Sequence, residues 1–532
     1  MKQLMKNKYL LLFTSFLLAI FSFSQTYEVK NIKLNKSNSK GALYKATDQD
    51  GLIYATGYKS WLGFSKKKYL KVIDPMAEKV LKDIPFKYDE INNQGYNLYG
   101  LTMLNKKPVL IASNEKDNNY YAFNLDRNLK VSNSYKIGEI PVCEDFIYRE
   151  KKIKQFRSEV IHHQSKNKIN TFFSNVSCPT DKGISIRSIV TDEAGSELTS
   201  YKFTLDTKMS IDKSKLFTYN ENKAYYFISA NDTKNEGQGS PQNKLFAINK
   251  GIPTEVNLKI REELILTDLK MIQNDNELFV TGHFNSNETN ELRGVFTAKM
   301  NVENDKLENF KAYYFDYKFS HSDSKEIIEY DQILNNSVSL LKNYQLIDYF
   351  QTNDGSTVYF SQQKEVSHEV RTAHSQGGPS RKITTSYYHY KDLIVTKIDK
   401  NGKMVRIKKI PLNQVTIDYD PGKGFVASHR QNDIILLHLS SKLRSDKINE
   451  IKHPENHRVS KKDKTYDRLD ITEIKANGTI KNRKAIQLKN TKGSFNPKNV
   501  SVNHEDKTFI LLNQNKGFFS SKKKITITKI SF

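Results

Sequence analysis

Residues Tyr387–Pro411 read YYHYKDLIVTKIDKNGKMVRIKKIP. An apolar run, Leu393–Ile398, leads into Asp399-Lys400-Asn401-Gly402, and a second run ends at Ile410. Asn-Gly between two apolar runs is a hairpin turn, because glycine takes positive φ without steric cost. Leu393 and Val395 fall on one face of the first run, Ile394 and Ile398 on the other. A strand apolar on both faces lies between stacked sheets. Looser copies of this strand–turn–strand unit recur along the chain, so the fold class is a tandem array of small antiparallel sheets.

Toward the amino terminus, residues 42–86 make one four-strand unit around Asp48-Gln49-Asp50-Gly51. Further units span residues 98–137, 158–205, 215–260 and 266–315, with turns at Asp192-Glu193-Ala194-Gly195 and Asn274-Asp275-Asn276. Residues 316–343 break the rhythm as a spacer. Asp323 precedes Glu326 by a capping-box interval, and Ile327, Tyr330, Leu334, Val338 and Leu341 recur at helical spacing. One short helix is expected near 323–341. A sixth unit starts at Tyr344, turns at Asn353-Asp354-Gly355 and carries a polar insert at 365–385. A seventh covers 424–488, with a second insert at 452–466 and a turn at Ala476-Asn477-Gly478.

The last segment, 499–532, has three good strands, and Thr26–Leu34 supplies one more. Together they complete a unit, which would close a ring without an open edge. The expectation is an all-β protein, a β-propeller of seven or eight four-stranded blades closed by its terminal strands. The structural alternative is a pair of β-domains split near residue 320.

The first 24 residues have the layout of a secretory signal peptide. Lys2, Lys6 and Lys8 precede an apolar run from Tyr9 to Phe23, and Ser22-Phe23-Ser24 offers a cleavage site before Gln25. The run is shorter than the ~20 residues of a membrane span, and no cysteine follows it as a lipoprotein anchor would need. Residues 25–532 are expected as one propeller-like domain, periplasmic or secreted, with no transmembrane segment. Cys143 and Cys178 are the only cysteines. A disulfide between them would add ~3–4 kcal/mol by the chain-entropy argument. Two free buried thiols are the other reading.

The chain has 532 residues and a net charge of +25. Its basic runs are scattered, at Lys66–Lys68, Lys151-Lys152, Lys408-Lys409, Lys461-Lys462 and Lys522–Lys524. They read as solvated faces, with weak attraction to an anionic surface as the functional alternative. Export argues against a nucleic-acid partner.

The chain resembles a group of secreted, uncharacterised β-propeller-like repeat proteins of Bacteroidetes over about Glu326–Leu437. The shared features are YFQTNDGSTVYFSQQ, the insert and the strand pair YYHYKDLIVTKIDKNGKMVRIKKIPLNQ, with the FSQ signal ending alongside. The resemblance implies an exported propeller-like protein and brings no catalytic residues. The carboxyl end lacks the β-sandwich sorting domain of some such exports, and Phe532 ends a plain strand, which favours the periplasm over surface display.

No nucleophile elbow, HExxH, paired CxxC, phosphate loop or EF-hand loop is present. No catalytic, metal or cofactor residue is assigned, and no cofactor is expected. His162-His163 point to opposite faces of a strand. His368, Glu369 and His374 sit in the first insert without a placed third ligand. Trp61, the single tryptophan, reads as a core or loop anchor. The candidate ligand surface is Tyr387, Tyr388, His389 and Tyr390, where aromatic faces meet the insert and would suit sugar rings. The resulting expectation is an exported envelope protein that binds or scaffolds a protein or glycan through a propeller surface. The reading leans away from an enzyme. Its alternative is a secreted hydrolase or lyase acting on polysaccharide or peptide in a central funnel.

Overall fold

A computed structural model describes the strands named below, some of the tight turns between them and a few flanking residues. The stretches 1–28, 34–44, 48–51, 62–64, 86–95, 105–106, 115–118, 140–157, 165–169, 178–183, 193–195, 206–208, 233–241, 259–263, 275–276, 287–291, 316–318, 320–327, 330–340, 374–380, 418–421, 440–467, 488–496, 498–499, 504–507 and 515–524, with a few single residues, lie outside the description. So do the residues 1–24 read as a signal peptide, Cys143, Cys178, His374 and the insert at 452–466.

The described residues are almost wholly β-structure. After β1 (Val29–Lys33), a first sheet contains β2 (Lys45–Thr47), β3 (Ile53–Trp61), β4 (Ser65–Asp74) and β5 (Lys79–Pro85). The second has β6 (Tyr96–Leu104), β7 (Lys107–Asn114), β8 (Asn119–Leu125) and β9 (Val131–Glu139). The third has β10 (Ser158–Gln164), β11 (Asn170–Ser177), β12 (Ile184–Thr191) and β13 (Glu197–Leu205). The fourth has β14 (Met209–Thr218), β15 (Lys223–Asp232), β16 (Gln242–Asn249) and β17 (Ile252–Val256). The fifth has β18 (Leu264–Asn274), β19 (Glu277–Ser286), β20 (Leu292–Asn301) and β21 (Lys306–Tyr314).

The sixth sheet is larger. It orders β22 (Ile328–Glu329), β26 (Met404–Ile410), β25 (Arg381–Ile398), β24 (Thr357–Ala373) and β23 (Tyr344–Gln351), and β27 (Gln414–Ile417) also pairs with β25. The seventh has β28 (Phe425–Arg430), β29 (Asp433–Leu439), β30 (Arg468–Ile474) and β31 (Ile480–Gln487). The eighth joins β32 (Val500–Asn503), β33 (Thr508–Gln514) and β34 (Ile525–Ser531) to β1, in the order β1-β34-β33-β32. Val29 pairs with Ile530 and Lys33 with Thr526. Seven sheets are thus four-stranded, and every pairing is antiparallel.

Two sequence readings change here. Ile328 and Glu329 pair with Lys409 and Lys408 as a short strand. At these two residues the chain is extended, because pairing with β26 satisfies its backbone groups, and the rest of the helix expected near 323–341, residues 323–327 and 330–340, lies outside the described residues. The insert at 365–385 is not a loop along its described length, since β24 and β25 run on through it as one long hairpin.

Burial follows strand position. β7 is buried from Pro108 to Asn114, and β8 along most of its length. The fourth strands β17 and β21 are largely wet. Middle strands therefore lie between neighbouring sheets, and outer strands face solvent. In the opening stretch, Leu393 and Val395 pack with Phe425, Ile434 and Leu436 of the seventh sheet. Ile394 and Ile407 pack with Leu292 and Val295 of the fifth. Similar clusters join the first sheet to the second, the second to the third, and so on to the eighth. Lys529 of the eighth sheet donates to Met76 Sδ of the first at 3.2 Å.

In the first seven sheets, antiparallel pairing places the first-to-second and third-to-fourth turns at one end. That end is tight, as from Leu104 to Lys107 or Arg430 to Asp433. The opposite end carries the second-to-third and inter-sheet connections, including Asp232 to Gln242 and Leu439 to Arg468. The long hairpin of β24 and β25 extends at this second end.

Candidate functional site

The hairpin carries the aromatic run. Tyr387–Tyr390 sit in β25 between β24 and β27, with Tyr388 opposite Val366 and Thr416 and Tyr390 opposite Lys364 and Gln414. Alternation then divides the four residues. Tyr390 is fully buried, and its hydroxyl accepts the Gly422 N–H at 3.2 Å. It belongs to the core and leaves the candidate ligand surface. Lys364 Nζ lies 5.6 Å from the Tyr388 ring centroid, covering one face as a cation–π contact. Tyr387 donates to Glu369 Oε2 at 2.8 Å, and Glu369 pairs with Arg371 at 2.5 Å. Ser367 Oγ and His389 Nε2 are 3.1 Å apart. His368 Nδ1 lies 3.0 Å from Ser386 Oγ, so this histidine makes a cross-strand pair.

Beyond these pairs the hairpin is a ribbon of two strands, a form only marginally stable alone. Glu365–Lys391 at 2.6 Å adds an ion pair near its base. Val366 and Val370 share one face and are 45% and 60% exposed, so the ribbon presents apolar side chains to solvent at the long-connection end.

A second constellation lies on the first strands of successive sheets. Lys215 of β14 pairs with Asp268 Oδ1 of β18, and Asp268 Oδ2 accepts the Leu346 N–H of β23 at 3.0 Å. Lys423, just before β28, pairs with Asp348 of β23. Two ion pairs and the Asp268–Leu346 hydrogen bond thus link the fourth, fifth, sixth and seventh sheets. Bulges between Ile211 and Lys213, Leu266 and Asp268, and Leu346 and Asp348 recur in these strands and re-aim the side chains that follow them. Lys270 sits in the same row, 5.0 Å from the Tyr349 ring centroid. Burial first, then the positive charge of Lys215, lowers its pKa to about 8, against the partial opposition of Asp268 and Asp348.

A small, half-open cleft lies beside Lys270, lined by His163, Lys215, Leu216, Phe217, Met271 and Tyr349 among others, with a volume of ≈ 70 Å³. His163 Nδ1 accepts the Thr218 N–H at 3.0 Å, and the ring packs 4.8 Å from Phe217. Sequence reading singled out His163 but not its partners. The signal was present in the aligned strand starts SIDKSKLF, ILTDLKMI and QLIDYFQT, which place a charge after each bulge. Among the described residues no group of three or more His, Cys, Asp or Glu could hold a metal. Nor is any helix among them long and apolar enough to cross a membrane.

No family model matches the chain, and no curated protein matches it. Among solved structures it is similar to polysaccharide lyase Uly1, at 9% identity and TM-score 0.35, covering 93% of this chain and 91% of that one. It is also similar to a eukaryotic initiation factor, at 9% identity and TM-score 0.36, covering 93% and 87%. An endosialidase of phage phi92 matches at 9% identity and TM-score 0.30, covering 90% and 78%. Likenesses this distant carry no argument for what the chain does.

Proposed function

We propose that this chain is an exported envelope protein whose eight sheets are the blades of a closed propeller, and that it binds and scaffolds an acidic protein partner. Closure is supported by β1 completing the eighth sheet and by the Lys529–Met76 contact with the first. The observation that carries the binding role is the ribbon of β24 and β25. It leaves its sheet with Val366 and Val370 exposed, and unpaired strand edges with apolar side chains are rare unless something covers them. The aromatic faces that would suit a glycan are partly taken, Tyr390 by the core and Tyr388 by Lys364. The net charge of +25 favours an acidic partner. Export rests on the basic and apolar layout of residues 1–24.

The test replaces 368–386 with Asn-Gly, which closes the hairpin at the Ser367–Tyr387 pair. Envelope extract is cross-linked to the mature protein and to this variant at low and high salt. The expected result is a discrete acidic protein captured by the parent, lost from the variant and weakened by salt, with unchanged melting of both proteins. Equal capture by the variant overturns the role of the ribbon. Retention on a glycan array, or cleavage of a polysaccharide or peptide, replaces the reading with the corresponding glycan or enzyme function.

A further inference from the structure

Away from the ribbon, the lysines of the first-strand row differ in one respect. Lys215 reaches Asp268 and Lys423 reaches Asp348, but Lys270 between them makes no ion pair among the described residues. Its ammonium lies 5.0 Å from the Tyr349 ring centroid, and both residues line the cleft. Asp268 and Asp348 offset the charge of this half-buried cation only in part, and an anion arriving beside it offsets more of the cost of burial. Leu216, Phe217, Leu245 and Met271 form an apolar part of the wall, beside the polar His163 and Lys215. With Lys215 and Lys423 each already paired with an aspartate, the site suits one negative charge on an apolar body better than a chain of charges.

We propose that this cleft binds a small aromatic or aliphatic carboxylic acid, with the carboxylate on Lys270 and the hydrocarbon part against Phe217 and Met271. The groups facing Lys270 are Lys215 on β14, Asp268 on its own strand, and Asp348 and Tyr349 on β23, with His163 of β10 across the cleft. Lys215 adds attraction for the anion, and the two aspartates limit it. Because the lysine titrates at about 8, the ligand binds best below that pH and is released as the ammonium deprotonates above it.

The experiment is titration calorimetry of the mature protein with benzoate, phenylacetate and hexanoate, beside phenylacetamide and glucuronate. At least one of the three apolar acids should saturate the protein below about 10 mM, with phenylacetamide and glucuronate bound at least tenfold more weakly. Lys270→Gln should weaken the acid at least tenfold, and raising the pH from 7 to 9.5 should weaken it in the parent. Circular dichroism checks folding of the variant. Should Lys270→Gln fail to fold, Lys270→Met keeps the apolar stem and serves the same comparison. Equal binding of phenylacetamide, unchanged binding by the folded variant, or saturation by none of the acids overturns the proposal. Because the ribbon is untouched, this outcome is independent of the capture experiment.

Discussion

Asp354, in the turn Asn353-Asp354-Gly355, shows how much one turn residue organises. Burial alone would raise its pKa, but Thr352, Lys397 and Ser356 all bond its carboxylate and hold it well below the usual range. The side chain is 37% exposed, so solvent screens part of this gain. Asp354→Ala should cost about 1 kcal/mol, seen as a lower urea midpoint at pH 7. The folded carboxyl titrates below the unfolded one. The contribution is therefore complete above about pH 4 and disappears as pH falls through the folded value. The difference between parent and variant should shrink in acid, and a constant difference would remove the charge from the explanation. Lys408 and Lys409 teach the opposite lesson. They read as a solvated basic run, yet both are buried. Lys408 donates to the Gly478 carbonyl, and Lys409 pairs with Asp392 at 3.1 Å.

At the scale of elements, the bulge in β18 constrains the strand beside it. It brings the Asp268 carbonyl over Gly282 of β19, where an added Cβ would lie 1.9 Å from that oxygen. Backbone cannot give way as a long side chain can. Gly282→Ala should destabilise by about 1–3 kcal/mol or more, measured as a loss in thermal midpoint. It should also disturb Asp268, which links the fourth, fifth and sixth sheets. A neutral Gly282→Ala would mean that the bulge is not held as described. Across the next interface, His283 Nε2 and Ser361 Oγ lie 2.6 Å apart and Tyr359 meets Thr281, so the fifth and sixth sheets are pinned by buried polar pairs as well as by apolar packing.

At the scale of the molecule, the termini meet. Three carboxyl-terminal strands accept β1, and without it β34 would present an unpaired edge. Removing residues 26–34 should lower the melting temperature and produce soluble aggregates in size-exclusion chromatography with light scattering. If the shortened protein melts and elutes like the parent, β1 contributes no closure. The two ends of the sheets also differ. Tight turns leave little variable chain at one end, while the other gathers the longer connections and the β24–β25 ribbon. Exposed connections on a rigid scaffold are where binding residues accumulate.

What could be read along the chain was local. Apolar runs of strand length, Asp-Gly and Asn-Gly turns, and the shortfall of strands at the carboxyl end sufficed for the all-β class, the four-strand unit and the partnership of the two ends. Gly355, Gly402 and Gly478 take positive φ in the turns where their sequence placed them. These features depend on neighbours in sequence, and alternation of side chains carries them. The candidate sites were less legible. That Tyr390 is core while Tyr387–His389 stay half-buried depends on β27 folding back against β25. That Lys215 and Lys423 form ion pairs while Lys270 forms none among the described residues depends on bulges and on contacts between residues more than 50 apart in the chain. Charge pairing and burial are properties of packed sheets, set by which strands come to lie side by side, and no local pattern encodes that.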